Sequence, residues 1–211
     1  MKKVYGVLKY AGAAAAAAYV IMTLVSALQS VGMGPLRNWL SDFGSPLYNP
    51  RGAVFYNIGC IAAAVLLAAF YLGMTAWHKS AAKKYLVCYI GAQVSGLLAS
   101  CFLILASVFP IGMNPLHQTF SLINMIAMDC FLVFTAIAAI LNPYVSSGLG
   151  VLGIITAAFN IFTANVFEKL YIGEWIFFVL FILYVLLLTY NYERFNGENL
   201  KEAERRLNAQ G

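Results

Sequence analysis

A histidine, a serine and an asparagine follow one another at helical spacing, as His117, Ser121 and Asn124. Steps of four and three residues place their side chains on one face of a helix. A histidine beside a serine can act as general base for a nucleophilic hydroxyl, and the same groups can hydrogen-bond a polar ligand. Pro115 suits the first turn of a helix, so we expect this polar face to begin at a helix end.

A second polar segment extends from Arg37 to Arg51 and reads RNWLSDFGSPLYNPR. Its glycine, prolines and asparagines favour turns, which predicts a shaped loop between two apolar runs. Asp42 lies between the two arginines. These guanidinium groups can bind a lipid phosphate in a bidentate manner, or they can form a salt bridge within the loop.

The two segments together allow two kinds of chemistry. A metal-free hydrolase would use His117 as base, Asp42 to orient it, and Ser41, Ser45 or Ser121 as nucleophile. No nucleophile-elbow pattern accompanies these residues, so we favour ligand binding without covalent chemistry. The residues expected to form the binding site are Arg37, Asp42, Arg51, Asn57, His117, Ser121 and Asn124.

A metal centre is not expected. Zinc requires three or four nitrogen, sulfur or carboxylate ligands. The chain has two histidines, His78 and His117, and the predicted topology places them at opposite faces of the membrane. The four cysteines lie in apolar runs without a Cys-x-x-Cys pair, which predicts small buried side chains. We therefore predict neither a metal nor a cofactor.

The composition is that of an integral membrane protein. Of 211 residues, 62% are hydrophobic and 10% are charged, whereas about a quarter are charged in soluble domains. The apolar runs do not alternate, which excludes a barrel and predicts an all-α bundle of six membrane-spanning helices. The predicted spans are residues 10–31, 54–77, 85–109, 116–141, 148–167 and 174–192.

The basic residues predict the orientation of this bundle. With the N-terminus inside, ten Lys and Arg residues flank the cytoplasmic ends of the spans and three flank the other ends. Both termini are then cytoplasmic, and the 37–51 loop faces outward from the cell membrane. We expect one membrane domain over residues 1–195 and a short polar tail over 196–211. The basic residues follow the membrane topology, so a nucleic-acid partner is not expected.

Three further polar residues lie inside the predicted spans. Asp129 is twelve residues beyond His117, about 18 Å along a helix axis, so the two side chains cannot touch. Asn160 in the fifth span and Gln93 in the third are candidate partners for this acid. Polar groups at such depth either brace the bundle or serve proton and ion pathways, and we favour bracing.

The chain also resembles a known family. Ser41-Asp42-Phe43-Gly44 after the first span, Asn57 and Gly59 in the second, and His117 with Ser121 in the fourth carry the resemblance. They resemble uncharacterised prokaryotic six-span proteins, domain of unknown function 998, and more distantly the DRAM-like superfamily. The DRAM-like resemblance implies a role in lipid handling, and neither resemblance implies catalytic residues.

These observations lead to one expectation and two alternatives. We expect an outward-facing polar pocket that binds or handles a lipid or small amphiphile, with membrane lipids as partners. A homo-oligomer or a membrane-protein partner is compatible with the sequence. The alternatives are an intramembrane acyl hydrolase or transferase that uses His117, and a small-molecule transporter with a polar cavity that reaches Asp129.

Overall fold

Six long helices form the described part of the chain. The computed structural model describes residues 7–78, 83–112, 115–166 and 170–195, with side chains described except at 83–84 and 164–166. The helices are α1 (Ala11–Gln29), α2 (Ala53–Gly73), α3 (Lys83–Val108), α4 (Leu116–Leu141), α5 (Ser147–Val166) and α6 (Tyr171–Phe195). A short helix, Thr75–His78, follows α2, and a 3₁₀ helix, Leu40–Gly44, lies in the loop between α1 and α2.

The helices confirm the predicted all-α membrane architecture. Five of them are long and apolar enough to cross a membrane, and the apolar part of α5 is shorter, Ser147–Thr163. The chain is therefore a multi-pass membrane protein. The predicted sixth span begins at Glu174, but α6 begins at Tyr171. Glu174 consequently lies inside the first turn of α6, where its side chain can reach a neighbouring loop.

Local sequence explains where α4 begins and ends. Pro115 precedes its first residue, and the backbone N–H of Thr119 donates to the Pro115 carbonyl at 3.0 Å. At the other end Asn142 is extended, with φ −91° and ψ 112°, because the following Pro143 disfavours helical backbone. The Asn142 side chain donates to the Arg194 carbonyl at 3.1 Å and so ties this corner to α6.

The helices pack in chain order, and contacts between α1 and α6 close the bundle. Small residues allow close approach, as membrane helices require in the absence of a hydrophobic drive between them. A β-carbon at Gly59 of α2 would overlap Met22 of α1, and one at Gly91 of α3 would lie 2.8 Å from the Phe134 ring of α4.

The two ends of the bundle differ. At one end Trp77 stacks on Phe195 with ring centroids 4.7 Å apart, and Lys9 forms a salt bridge with Glu193 at 2.6 Å. The loop between α1 and α2 lies at the other end, where α3 meets α4 and where α6 begins. We call this second end the loop end.

Some predictions concern residues outside the described part of the chain, and one prediction is partly wrong. The polar tail 196–211, Lys79 and Lys169 lie outside the described residues. Cys60 and Cys88 are buried as expected, but Cys101 and Cys130 are exposed, so the prediction of four buried cysteines is wrong for those two. Outward helix faces of a membrane bundle accept small apolar side chains as readily as the interior does.

Candidate functional site at the loop end

The 3₁₀ helix Leu40–Gly44, which we call the roof turn, covers the loop end. Asp42 is buried, with 7% of its surface exposed, and accepts a hydrogen bond from the Trp39 backbone N–H at 3.0 Å. The Phe43 ring packs edge-on against Trp175 of α6 with centroids 5.5 Å apart. The sequence predicted a loop at this position. In the structure it forms a compact turn, because the Asp42 carboxylate accepts the hydrogen bond from the Trp39 N–H at its start.

Glu174 of α6 holds the roof turn from below. Its Oε2 atom accepts hydrogen bonds from the Leu40 N–H at 2.7 Å, the Ser41 N–H at 3.3 Å and the Ser41 hydroxyl at 3.4 Å. Next to it, the Trp175 indole N–H donates to the Asn38 carbonyl at 3.1 Å. Sequence reasoning did not assign Glu174 to the site, because the helix was expected to begin there.

Two asparagines fasten the rest of the loop. The Asn49 amide donates to the Ser26 hydroxyl at 2.9 Å and to the Phe43 carbonyl at 3.2 Å, and its oxygen accepts from the Gly52 N–H at 3.0 Å. The Asn57 amide donates to the Gly44 carbonyl at 2.9 Å. The loop is therefore bound to α1 and α2 as well as to α6.

His117 is fixed by backbone carbonyls. Its Nδ1 atom lies 3.0 Å from both the Ala106 and the Phe109 carbonyl oxygens. Carbonyls only accept, so Nδ1 carries the proton and donates to them. The Nε2 atom lies 3.3 Å from the Ser121 hydroxyl. The predicted role of Asp42 in orienting His117 is therefore wrong, since the histidine nitrogen that would face it is held by carbonyls.

A cavity opens beneath the roof turn, and we call it the site cavity. It offers about 80 Å³ to the centres of water-sized molecules, several times what one water requires. Polar and apolar side chains both line it. The lining residues come from the roof turn, α2, α3, α4 and α6, and include Ser41, Tyr56, Asn57, Ser107, His117, Ser121, Asn124, Glu174, Leu103, Met125 and Phe178.

The structure brings together five of the residues that the sequence singled out. Ser41, Asn57, His117, Ser121 and Asn124 all line the site cavity. They come from three separate segments, and Asn124 lies eight residues into α4, which is about 12 Å along the helix axis. Tyr56, Ser107 and Glu174 were missed, because each stands in an apolar or boundary segment without a periodic polar partner.

Asp42, Arg37 and Arg51 do not line this cavity. Both arginines are exposed, and neither forms a salt bridge with Asp42 among the residues described. The expected clamp of two arginines around Asp42 is therefore absent from the site geometry. Ser45 is also turned away from the cavity, and its hydroxyl donates to the Ile111 carbonyl at 3.3 Å, which joins the loop to the α3–α4 turn.

The three deep polar residues lie apart from the site. The Asn160 amide nitrogen lies 3.0 and 2.9 Å from the two carboxylate oxygens of Asp129, which links α5 to α4. Gln93 does not join them. It donates to the Tyr71 carbonyl at 2.9 Å and the Thr75 hydroxyl at 2.8 Å, so it braces α3 against the end of α2.

The side chains that could bind a metal ion do not cluster in the described part of the chain. Over residues 7–78, 83–112, 115–166 and 170–195, no three His, Cys, Asp or Glu side chains lie close enough to hold an ion. His78 belongs to the helix after α2, at the opposite end from His117. The two histidines therefore cannot share a ligand sphere.

Fold and site define the class of this protein: a polytopic helical membrane protein with a partly polar cavity under a hydrogen-bonded roof at one end. The particular family follows from sequence comparison. Residues 13–192 match the family model described as protein of unknown function (DUF998), and the chain belongs to that family. No curated protein and no solved structure matches the chain.

The charge on Asp42 supplies a test of the roof turn. Burial raises the pKa of Asp42 above its ordinary value, while the Trp39 N–H, the Asn38 amide and nearby His117 act in the opposite direction. The folded state therefore binds this proton more tightly than the unfolded state. The resulting stabilisation is complete below the ordinary pKa, about 4, and is lost as the pH rises through the raised pKa.

We expect the Asp42→Asn variant to gain stability relative to wild type as the pH rises from about 4 to about 7. The measurement is the unfolding temperature of both proteins in detergent across this range. Taking the difference cancels the titration of groups that do not interact with Asp42. A difference that stays flat or moves in the opposite sense contradicts the assignment of Asp42 as a buried acid.

Proposed function

We propose that this protein binds or handles a lipid or small amphiphile in the site cavity, as an accessory protein without covalent chemistry. The single observation that carries the proposal is the lining of that cavity. Polar groups of the roof turn, α2, α4 and α6 face apolar side chains such as Leu103, Met125 and Phe178 across the same space. A ligand that satisfies both kinds of wall is itself amphiphilic.

The depth of the cavity supports the same proposal. His117 is the second residue of α4 and Glu174 the fourth of α6, so the polar walls begin at the ends of membrane-spanning helices. Asn124 marks a depth of about 12 Å, less than half of a hydrocarbon core of about 30 Å. The cavity thus extends from the depth of lipid head groups into that of acyl chains.

The fixed histidine gives a second candidate function, an acyl hydrolase or transferase. Ser121 and His117 are 3.3 Å apart, the spacing of a nucleophile and its base. Such a reaction also needs free N–H donors for the developing oxyanion. Two backbone donors at the site are used within the protein, since the Leu40 and Ser41 N–H groups bind Glu174. Binding is therefore favoured over hydrolysis.

Transport finds less support. A transporter with a site near the midplane requires a polar route and often a broken helix. Helix α4 is continuous from Leu116 to Leu141, and Asp129 does not line the site cavity. The Asp129–Asn160 contact links two helices, which favours bracing.

The proposal includes an orientation. Ten basic residues flank one side of the spans and three the other, which favours cytoplasmic termini in the cell membrane and a site cavity on the outer face. On this view residues 1–195 form the membrane domain and 196–211 a cytoplasmic tail. Green fluorescent protein fused after Gly211 should fluoresce, because it folds on the cytoplasmic side. A fusion protein that is fully expressed and inserted but does not fluoresce contradicts this orientation.

Filling the cavity tests the binding proposal. Ser121→Phe places a ring in the site cavity, so we expect it to expel an amphiphile that wild-type protein retains from the membrane. Native mass spectrometry of the detergent-solubilised protein, with lipid extraction, measures the retained mass. The matched control is Thr119→Phe, two residues earlier on the exposed side of α4.

The control should retain the amphiphile as wild type does. A wild-type protein that neither retains nor takes up any amphiphile contradicts the proposal. Equal retention by Ser121→Phe and Thr119→Phe also contradicts it, because the ligand would then lie outside the site cavity.

The hydrolase candidate is tested by active-site labelling. We expect a fluorophosphonate probe to leave Ser121 unmodified, because the Leu40 and Ser41 N–H groups at the site already bind Glu174 and cannot stabilise an oxyanion. Peptide mass spectrometry of the labelled protein gives the result. Labelling of Ser121 in wild type that disappears in His117→Gln would instead establish a serine nucleophile activated by histidine.

A further inference from the structure

The polar side chains that line the site cavity also make hydrogen bonds inside the protein. The Asn124 amide donates to the Ala99 carbonyl at 2.7 Å, and the Asn57 amide donates to Gly44 at 2.9 Å. The Ser107 hydroxyl donates to the Leu103 carbonyl at 2.7 Å, and the Ser41 hydroxyl to Glu174 at 3.4 Å. The hydroxyl donors of Ser41 and Ser107 are therefore engaged, and each of the two amides keeps one further N–H.

The lining also offers hydrogen-bond acceptors. All three hydrogen bonds that Glu174 receives from described residues reach Oε2, which leaves Oε1 for the cavity it lines. The side-chain oxygens of Asn57 and Asn124 accept no hydrogen bond from the described part of the chain, because both amides face carbonyls through their nitrogens. A ligand head group that carries donors can bind to these oxygens.

The charges of the lining residues favour a cationic head group. The described lining contains the carboxylate of Glu174, and neither lysine nor arginine belongs to it. Asp42 lies close enough to Glu174 to interact with it electrostatically. An anionic head group would meet the Glu174 carboxylate, whereas a cation would offset the cost of placing that carboxylate in the membrane.

A second cavity adjoins the first. It shares Leu103, Asn124 and Phe178 with the site cavity. Beyond this junction its walls are mostly apolar, and we call it the apolar chamber. Its lining residues include Ala15, Ala16, Ala63, Leu67, Phe181, Ile182 and Val185. The alanines of α1 and α2 leave the space that larger side chains would fill.

The size of the apolar chamber limits what it accepts. It offers about 40 Å³ to the centres of water-sized molecules, half as much as the site cavity. From Glu174 to Val185 is eleven residues of α6, about 16 Å, or about half of the hydrocarbon core. This space suits one narrow hydrocarbon chain within one leaflet and not two side by side.

We propose that the ligand of this site is a single-chain amphiphile with a primary ammonium head group, paired with Glu174 Oε1, whose chain enters the apolar chamber past Asn124. This inference rests on the proposed function and names its ligand class. The Asn57 oxygen, in the first turns of α2, is a further acceptor for the ammonium protons. Phosphate- and carboxylate-bearing lipids are disfavoured by the same lining.

The test uses chain-matched probes on the intact protein. Dodecylamine, dodecanol and dodecanoate are offered together at equal concentration to the purified protein in detergent, and native mass spectrometry measures the bound fraction of each. We expect the amine to be bound most. In Glu174→Gln the amine affinity should fall about tenfold or more, as expected for loss of a charge-assisted hydrogen bond.

Two controls separate this effect from partitioning and from misfolding. Glu193→Gln makes the same change at the other end of α6, where the carboxylate is exposed, and should leave the probe ratio unchanged. Dodecanol carries no charge, so its binding to Glu174→Gln should remain within about twofold of wild type. If the Glu174 variant does not fold, the ranking of the three probes on the wild-type protein decides whether the head-group inference holds.

The outcomes distinguish the two proposals. Amine preference that depends on Glu174 supports both. Equal binding of all three probes, or strongest binding of dodecanoate, overturns the head-group inference and leaves amphiphile binding in place. Binding of none of the probes, together with no retained lipid, overturns both.

Discussion

The contact between Glu174 and the roof turn holds the loop end together. The first N–H groups of a helical turn have no partner within it, and a carboxylate is the strongest acceptor that a neighbouring helix can offer them. Here Leu40 and Ser41 find that acceptor 134 and 133 residues away in sequence. Without it, two backbone donors would be left unpaired and the cover of the site cavity would lose its attachment to α6.

The same carboxylate belongs to both the fold and the cavity. One oxygen carries the hydrogen bonds to the roof turn, and the other is available to the space beneath it. Asn57 and Asn124 repeat this division, since each amide nitrogen binds a backbone carbonyl while the residue also lines the cavity. The side chains that join the bundle thus also set the polarity of the cavity.

The sequence predicted the helices well because lipid leaves the backbone few alternatives. It also identified His117, Ser121 and Asn124, since helical spacing alone puts them on one face. Glu174 could not be found in this way, because its partners are distant in sequence and its helix begins earlier than hydropathy indicated. Arg37 and Arg51 were predicted to belong to the site but do not line the site cavity, because composition shows that a loop is charged but not which way its side chains point.

His117 also serves as a cap. The last carbonyls of a helix lack partners, and this histidine supplies one N–H to Ala106 and Phe109 at the end of α3. Ser121 lies one helical turn away, so the two residues resemble a catalytic serine–histidine dyad. Loss of function after replacing His117 would therefore be ambiguous in a genetic screen, because an unravelled α3–α4 hairpin and a missing base produce the same phenotype.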